Sequence, residues 1–245
     1  MYKRILCIVF PLLAFNCGDG LTYEQKLNEY QSYINITDSL INANNYEEAI
    51  KYANTAISLT DTLSPAFTKK GIACYELNWL EFAEENFDEA IEIEGEASKV
   101  YKRRALVHLK NNDSDFLDDI NIYLLNYPED EEALEIRRDY YENKEDYDEA
   151  IFEYDFAIEK YRDSTELYIK RSSLLYLNGD YERALEDYEK ILVLDASNTE
   201  IYNKKNDLLA ELHKKNDLII FIILLFVCYG VYVLISYFIF KTISS

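Results

Sequence analysis

One phrase returns along the chain at a fixed interval. Tyr46-Glu47-Glu48-Ala49-Ile50 comes back as Tyr147-Asp148-Glu149-Ala150-Ile151 and as Tyr181-Glu182-Arg183-Ala184-Leu185, with a worn copy at Leu80-Glu81-Phe82-Ala83-Glu84. Ala49 and Ala83 are 34 residues apart, as are Ala150 and Ala184, while Ala83 to Ala150 is 67, one residue short of two periods. A period of this length built on helical sequence specifies an array of helix–turn–helix units that bury their faces against one another. The small residue marks a place where two helix backbones approach closely. Asn86-Phe87-Asp88-Glu89-Ala90-Ile91 imitates the phrase but lies 41 residues after the first copy, so it reads as the second half of the same helix. The recurring face is then Ala83, Phe87, Ala90, repeated as Ala150, Tyr154, Ala157 and as Ala184, Tyr188, Ile191. Residues at i, i+4 and i+7 share one side of a helix.

These residues resemble the tetratricopeptide repeat (TPR) family. The first helix of that repeat carries an aromatic and then a small residue four positions later, matched here by Phe67 and Gly71, with Ala73 and Tyr75, and less fully by Tyr101 and Ala105 and by Tyr168 and Ser172. Gly179-Asp180 stands at the turn of the best copy, with Asn45 or Asn78 at the equivalent place elsewhere; Gly or Asn suits the left-handed backbone that ends a helix. The resemblance covers about residues 30–212. It implies an all-α, TPR-like α-solenoid of about five helix–turn–helix repeats plus a capping helix. It also implies a protein or peptide partner held in a concave groove lined by the first helix of each repeat. Some members clamp a peptide's terminal carboxylate with a Lys and an Asn one turn apart. Ile34 and Asp38 occupy those places here, so the clamp is not carried over.

The expected order is a leader over 1–17, a repeat domain with its cap over 21–215, an apolar helix over 218–240 and a tail over 241–245. Repeat one holds Tyr33, Ile36 and Leu40 inward and lacks the small residue expected near Thr37. Repeat two opens on Ser64-Pro65, a first-turn pair. In repeat three, Phe116, Ile120 and Tyr123 take the places of the small and aromatic residues, and the missing residue falls in its turn, near Asn111-Asn112-Asp113. Stacked repeats share one core, so no internal boundary is expected. Thr199–Lys215 reads as a single polar-faced cap. Leu218–Phe240 is 23 residues without a charge, the length and composition of a single transmembrane helix, with Tyr237 near its exit.

Lys3-Arg4 followed by an apolar run from Ile5 to Phe15 has the form of a secretory signal and is too short to span a bilayer. The run ends at Cys17-Gly18-Asp19, which resembles a bacterial lipoprotein signal, although Phe15 and Asn16 replace the usual small pair. Lipidation of Cys17, ordinary cleavage nearby and an uncleaved segment all stay open. Topology has two opposed signals. The leader exports the repeats, whereas Lys214 and Lys215 before the apolar stretch and only Lys241 after it favour cytoplasmic repeats. The leader acts first, so the expectation is a single-pass protein of the inner membrane with extracytoplasmic repeats.

A net charge of −21 repels nucleic acid and anionic headgroups. The 23 tyrosines fill the aromatic positions of the repeats, with hydroxyls expected to face water. Four cysteines form no disulfide framework. Cys74 and His108 fall on inward positions, where a buried thiol and a core histidine are expected. Six scattered glycines supply no phosphate loop, and no acidic run has the spaced ligands of a calcium loop. No catalytic, cofactor-binding or metal-ligating set stands out, so an enzyme is not expected. The leading function is a membrane-anchored interaction scaffold. The alternatives are the input subunit of a membrane signalling system and a tail-anchored cytosolic adaptor. Candidate partner-binding residues are the basic strip Lys99, Lys102, Arg103 and Lys170, with the groove residues Ile72, Tyr75, Leu106 and Tyr176.

Overall fold

The computed structural model describes residues 21–243, with side chains to residue 231. The leader, Cys17 and the side chains of the 241–245 tail lie outside the described residues. Eleven helices and no strand make up the described chain: α1 (Tyr23–Asn42), α2 (Tyr46–Leu59), α3 (Ser64–Glu76), α4 (Leu80–Glu94), α5 (Val100–Asn111), α6 (Phe116–Asn126), α7 (Glu131–Asn143), α8 (Tyr147–Lys160), α9 (Thr165–Asn178), α10 (Tyr181–Leu194) and α11 (Thr199–Ile243). Two compact units divide inside α7, one ending at Arg137 and the other beginning at Arg138.

The turns carry the repeat more faithfully than the helices. Asn44, Asn78, Asn112, Glu145 and Gly179 all have positive φ, between 57° and 82°. Their spacings are 34, 34, 33 and 34 residues. The residue that adopts the left-handed backbone in the first turn is therefore Asn44 rather than Asn45. Four of the five pay the steric cost of a Cβ in that region, which Asn tolerates better than most. The short interval is located by the first buried residue of each second helix. Ala49, Ala83, Ala150 and Ala184 follow their turn residue by five positions, whereas Phe116 follows Asn112 by four. The missing residue thus falls between Asn112 and Phe116, just after the left-handed residue.

The second-helix faces are buried as the pattern requires: Ala83, Phe87 and Ala90 on α4, Phe116, Ile120 and Tyr123 on α6, Ala150, Tyr154 and Ala157 on α8, and Ala184, Tyr188 and Ile191 on α10. In repeat two the need for a small residue is direct. A Cβ built on Gly71 would stand 2.5 Å from a ring carbon of Phe87. Thr37 fills this place in α1, fully buried, its hydroxyl donating to the Tyr33 carbonyl at 2.8 Å. In α7 the place goes to Arg138, also buried, with its guanidinium 5.7 Å from the centre of the Tyr154 ring.

The face of α1 differs from expectation. It buries Tyr30, Ile34 and Thr37, leaving Ile36 36% exposed and Tyr33 half-buried. Tyr30 decides this, because its hydroxyl accepts from the Ala66 amide at 3.0 Å and donates to the Leu63 carbonyl at 3.3 Å, which fixes α1 against the start of α3. Other tyrosine hydroxyls also turn to protein partners rather than to water alone. Tyr154 donates to Glu142 at 2.6 Å, Tyr127 to the Ala97 carbonyl at 2.7 Å and Tyr168 to the Arg162 carbonyl at 3.1 Å.

At the far end α11 is one uninterrupted helix. Ile201 and Leu208 are buried and Leu212 packs on the same cluster as Ile191, Tyr188 and Leu175. Every described side chain from Leu218 to Val231 is exposed. Among the described residues no helix is long and apolar enough to cross a membrane; the rest of the 218–240 stretch lies beyond the last described side chain.

Candidate functional site

In the first unit α3 lies against both α1 and α5, so the first helices of three repeats are neighbours. Between α3 and α5 opens a cleft of about 520 Å³. From α3 it is lined by Thr68, Lys69 and Ile72, and from the α5 side by Lys99 and Arg103, with Tyr127 at its edge. Lys99, Arg103, Leu106 and Lys110 stand at i, i+4, i+7 and i+11, a single stripe along α5. Lys99, Arg103 and Lys110 are exposed on it, and Leu106 is half-buried.

The charges of the cleft are unevenly engaged. Lys69 is ion-paired with Asp38. Lys99 lies 5.4 Å from the centre of the Tyr127 ring. Lys110 sits 4.5 Å from the centre of the Tyr75 ring and 3.4 Å from the Tyr75 carbonyl. Burial pushes the Tyr75 phenol above its usual range, with Glu76 adding to the rise and Arg103 opposing it. The Glu94 carboxylate, on the cleft wall, accepts from Ser64 and, at 2.6 Å, from Ser98. It is thereby turned to the helix starts.

The expected basic strip is reduced by this geometry. Lys102 bonds Asp130 at 3.0 Å and Glu132 at 2.6 Å and lies over the Tyr123 ring. With 15% of its side chain exposed it ties α5 to the start of α7. Burial raises the Asp130 carboxyl, but bonds from Tyr123, Lys102 and the Ala133 amide outweigh that and hold it below the usual range. Lys170 and Tyr176 belong to the second unit. Lys170 is exposed, 3.8 Å from Glu142, and Tyr176 pairs with Tyr181 at a ring separation of 5.6 Å. Lys69 is an addition to the cleft that the sequence pattern does not single out; the expected Tyr75 and Leu106 lie outside its lining, as does Lys110, whose i+7 spacing from Arg103 places it on the same stripe of α5.

A second device is absent from the sequence pattern. Arg104 grips the buried Asp119 of α6 at 2.8 and 2.6 Å and reaches Asp88 of α4 at 2.5 Å. Two repeats later Arg171 grips the buried Asp187 of α10 at 2.9 and 2.6 Å and reaches Asp155 of α8 at 2.7 Å. Lys205 of α11 meets Glu189 of α10 at 2.8 Å in the same relation. Each basic residue therefore fastens the second helix of the preceding repeat, and both arginines hold the second helix of their own as well. His108 is buried beside the first of these clamps, its Nε2 3.4 Å from Asp119, while its Nδ1 has no hydrogen-bond partner. Cys74 is buried too, and burial raises its thiol pKa. No group of three or more His, Cys, Asp or Glu side chains among the described residues could hold a metal.

The tetratricopeptide repeat model matches residues 30–62 and 165–198, the first and the fifth helix pairs. No curated protein matches the chain. Among solved structures, YrrB, described as a TPR protein with an unusual peptide-binding site, is 18% identical with a TM-score of 0.56, over 71% of this chain and 90% of YrrB. MamA from Desulfovibrio magneticus RS-1 is 19% identical with a TM-score of 0.57, over 70% of this chain and 97% of MamA. A tetratricopeptide repeat protein from Parabacteroides merdae is 17% identical with a TM-score of 0.58, over 78% of this chain and 76% of the other. At these identities the likeness is one of fold. Both comparisons support the tetratricopeptide repeat resemblance, and the described chain has the architecture of an all-α TPR-like solenoid.

Proposed function

We propose that this chain is a membrane-anchored interaction scaffold whose α3–α5 cleft receives an acidic segment of a partner protein. The observation that carries the reading is the exposed stripe Lys99, Arg103 and Lys110, facing Ile72 and Tyr75, in a chain of net charge −21. A cation stripe beside apolar side chains suits an acidic segment with apolar residues interleaved. Arg103 can take a carboxylate through two parallel bonds, which Lys cannot. Lys170 would contribute from the second unit's own surface.

The anchor is the 218–240 stretch. From Leu218 to Val231 the helix is apolar on every side and exposed on every side, and a helix apolar all round requires an apolar surrounding. The leader sends the repeats to the extracytoplasmic face of the inner membrane, and lipidation of Cys17 would tether the other end. Lys214 and Lys215 favour the opposite orientation, that of a tail-anchored cytosolic adaptor. Digestion by added protease in intact spheroplasts separates the two, since only extracytoplasmic repeats are degraded.

The cleft is tested by charge reversal. Partners are captured with the detergent-solubilised chain and identified by mass spectrometry, and the acidic segment is then titrated as a peptide. Lys99→Glu with Arg103→Glu is expected to weaken binding at least about tenfold, roughly 1.4 kcal/mol, at unchanged helicity. Lys102→Glu is expected to disturb the α5–α7 connection instead. Unchanged affinity in the double variant removes the cleft from the account.

A further inference from the structure

Anchored through its apolar part, α11 does more than tether the second unit, because the helix has no joint between its docked part and its apolar part. Lys205 of α11 meets Glu189 of α10, and Lys215 stands 5.4 Å from the centre of the Tyr181 ring at the start of α10. Ten residues along α11 thus correspond to eight residues back along α10, so the two run antiparallel. The side of the unit at which α11 leaves is therefore the α9–α10 turn. The exit is close. Leu218, where the apolar stretch begins, is three residues past Lys215, a rise of about 5 Å. The headgroup layer on each side of a bilayer's hydrocarbon core is itself roughly 5–7 Å deep.

The surface presented at that level is suited to this layer. Leu177 is 59% exposed and Tyr176 41% exposed in the last turn of α9, and Tyr176 and Tyr181 are tilted against each other. At the place of Leu177 the other repeats carry polar residues, Asn42, Glu76, Lys110 and Asn143. Two polar side chains of the turn are already bonded within the unit. Asp180 accepts from the Arg183 amide, and Asn178 donates to Asp148 at 2.8 Å. Lys214 and Lys215 carry exposed charges at the same level. Amphipathic aromatics, an exposed leucine and lysines with long apolar stems are the residues that settle at the boundary of lipid and water.

We infer that the α9–α10 turn of the second unit, with Tyr176, Leu177 and Tyr181, rests in the headgroup layer of the bilayer that α11 enters. The second unit would then stand on the membrane at a fixed angle, with the turn as a second foot beside the helix. The inference rests on the anchoring proposed above, and the experiment separates the two.

Trp79 is the chain's single tryptophan, so Trp79→Phe gives a silent background. In it the full-length chain carries either Leu177→Trp or, as a control at the opposite end of α10, Ser197→Trp. Each is reconstituted into phosphatidylcholine vesicles with and without lipids brominated near the head of the acyl chain. The expected result is co-flotation with the vesicles, with the fluorescence of the Leu177→Trp variant reduced by about half by brominated lipid, a depth appropriate to the interface, and that of the Ser197→Trp variant unchanged. Tyr176→Trp serves as a second reporter should Leu177→Trp lower helicity. Co-flotation without quenching at either turn position overturns the inference and leaves the anchor standing. Failure to co-float after reconstitution overturns both.

Discussion

The clamp at Arg171 can be broken by one substitution whose cost the geometry sets. Arg171→Met keeps most of the side-chain length and removes the guanidinium that holds Asp187 at 2.9 and 2.6 Å. Asp187 is 2% exposed, so its carboxylate loses its partner where water cannot replace it. Removing one member of a fully buried pair costs about 3–5 kcal/mol. Arg171 keeps 15% of its side chain exposed and its other partner Asp155 keeps 39%, so the lower end, about 3 kcal/mol, applies. Local opening of α9 and α10 would then rise about a hundredfold, read by hydrogen-exchange mass spectrometry and normalised to intrinsic rates at each pH. Arg183→Met is the control. Its pair with Asp155 is about as exposed on both sides, 40% and 39%, and is expected to be worth under about 1 kcal/mol. The pH dependence has a definite sign. Burial raises the Asp187 carboxyl even with Arg171 pulling it down. A carboxyl whose folded pKa lies above its unfolded one takes up a proton on folding in the window between them, so stability falls as pH rises through that window. Without Arg171 the window widens upward. The loss in Arg171→Met should therefore be largest at neutral pH and shrink on acidification, as Asp187 becomes neutral. Equal losses for Arg171→Met and Arg183→Met, or a loss independent of pH, would refute the clamp as described.

Three further substitutions test the frame. Gly71→Ala forces its Cβ into the Phe87 ring and is expected to cost about 1–3 kcal/mol, seen as a lower thermal midpoint by circular dichroism. Glu145→Gly relieves a left-handed non-glycine residue, φ 58°, and is expected to raise stability by about 1 kcal/mol; a decrease would show that the Glu145 side chain matters more than its backbone. Tyr30→Phe deprives the Ala66 amide of its acceptor and should cost about 1–3 kcal/mol, with faster exchange at the start of α3 as its local signature.

The candidate site is partly legible in the sequence. Lys99 and Arg103 can be placed on one face of α5 from spacing alone. Lys102, between them, cannot be sorted out that way, because its fate depends on Asp130 and Glu132, 28 and 30 residues away. Lys69 joins the cleft, and Lys110 meets the Tyr75 ring, through the meeting of α3 and α5, a relation that a helical period does not contain.

The division has a physical basis. A repeat writes its own spacing, so the helices, the turns and the small-and-aromatic faces of α4, α6, α8 and α10 can be read from a single chain of letters. Even the missing residue can be assigned to one turn, because Phe116 restores the register for the rest of α6. The tertiary structure decided everything that needs a second helix to be present. It rotated α1 so that Tyr30 reaches the Ala66 amide, and it turned the Tyr154 and Tyr168 hydroxyls inward to protein acceptors. It also joined Arg104 to Asp119 and Arg171 to Asp187, residues 15 and 16 apart whose pairing depends on the angle at which their two helices cross. Periodicity fixes which side of a helix is buried, but an ion pair or a hydrogen bond is fixed only when the facing atom is brought within about 3 Å, and that distance is a property of the packed array.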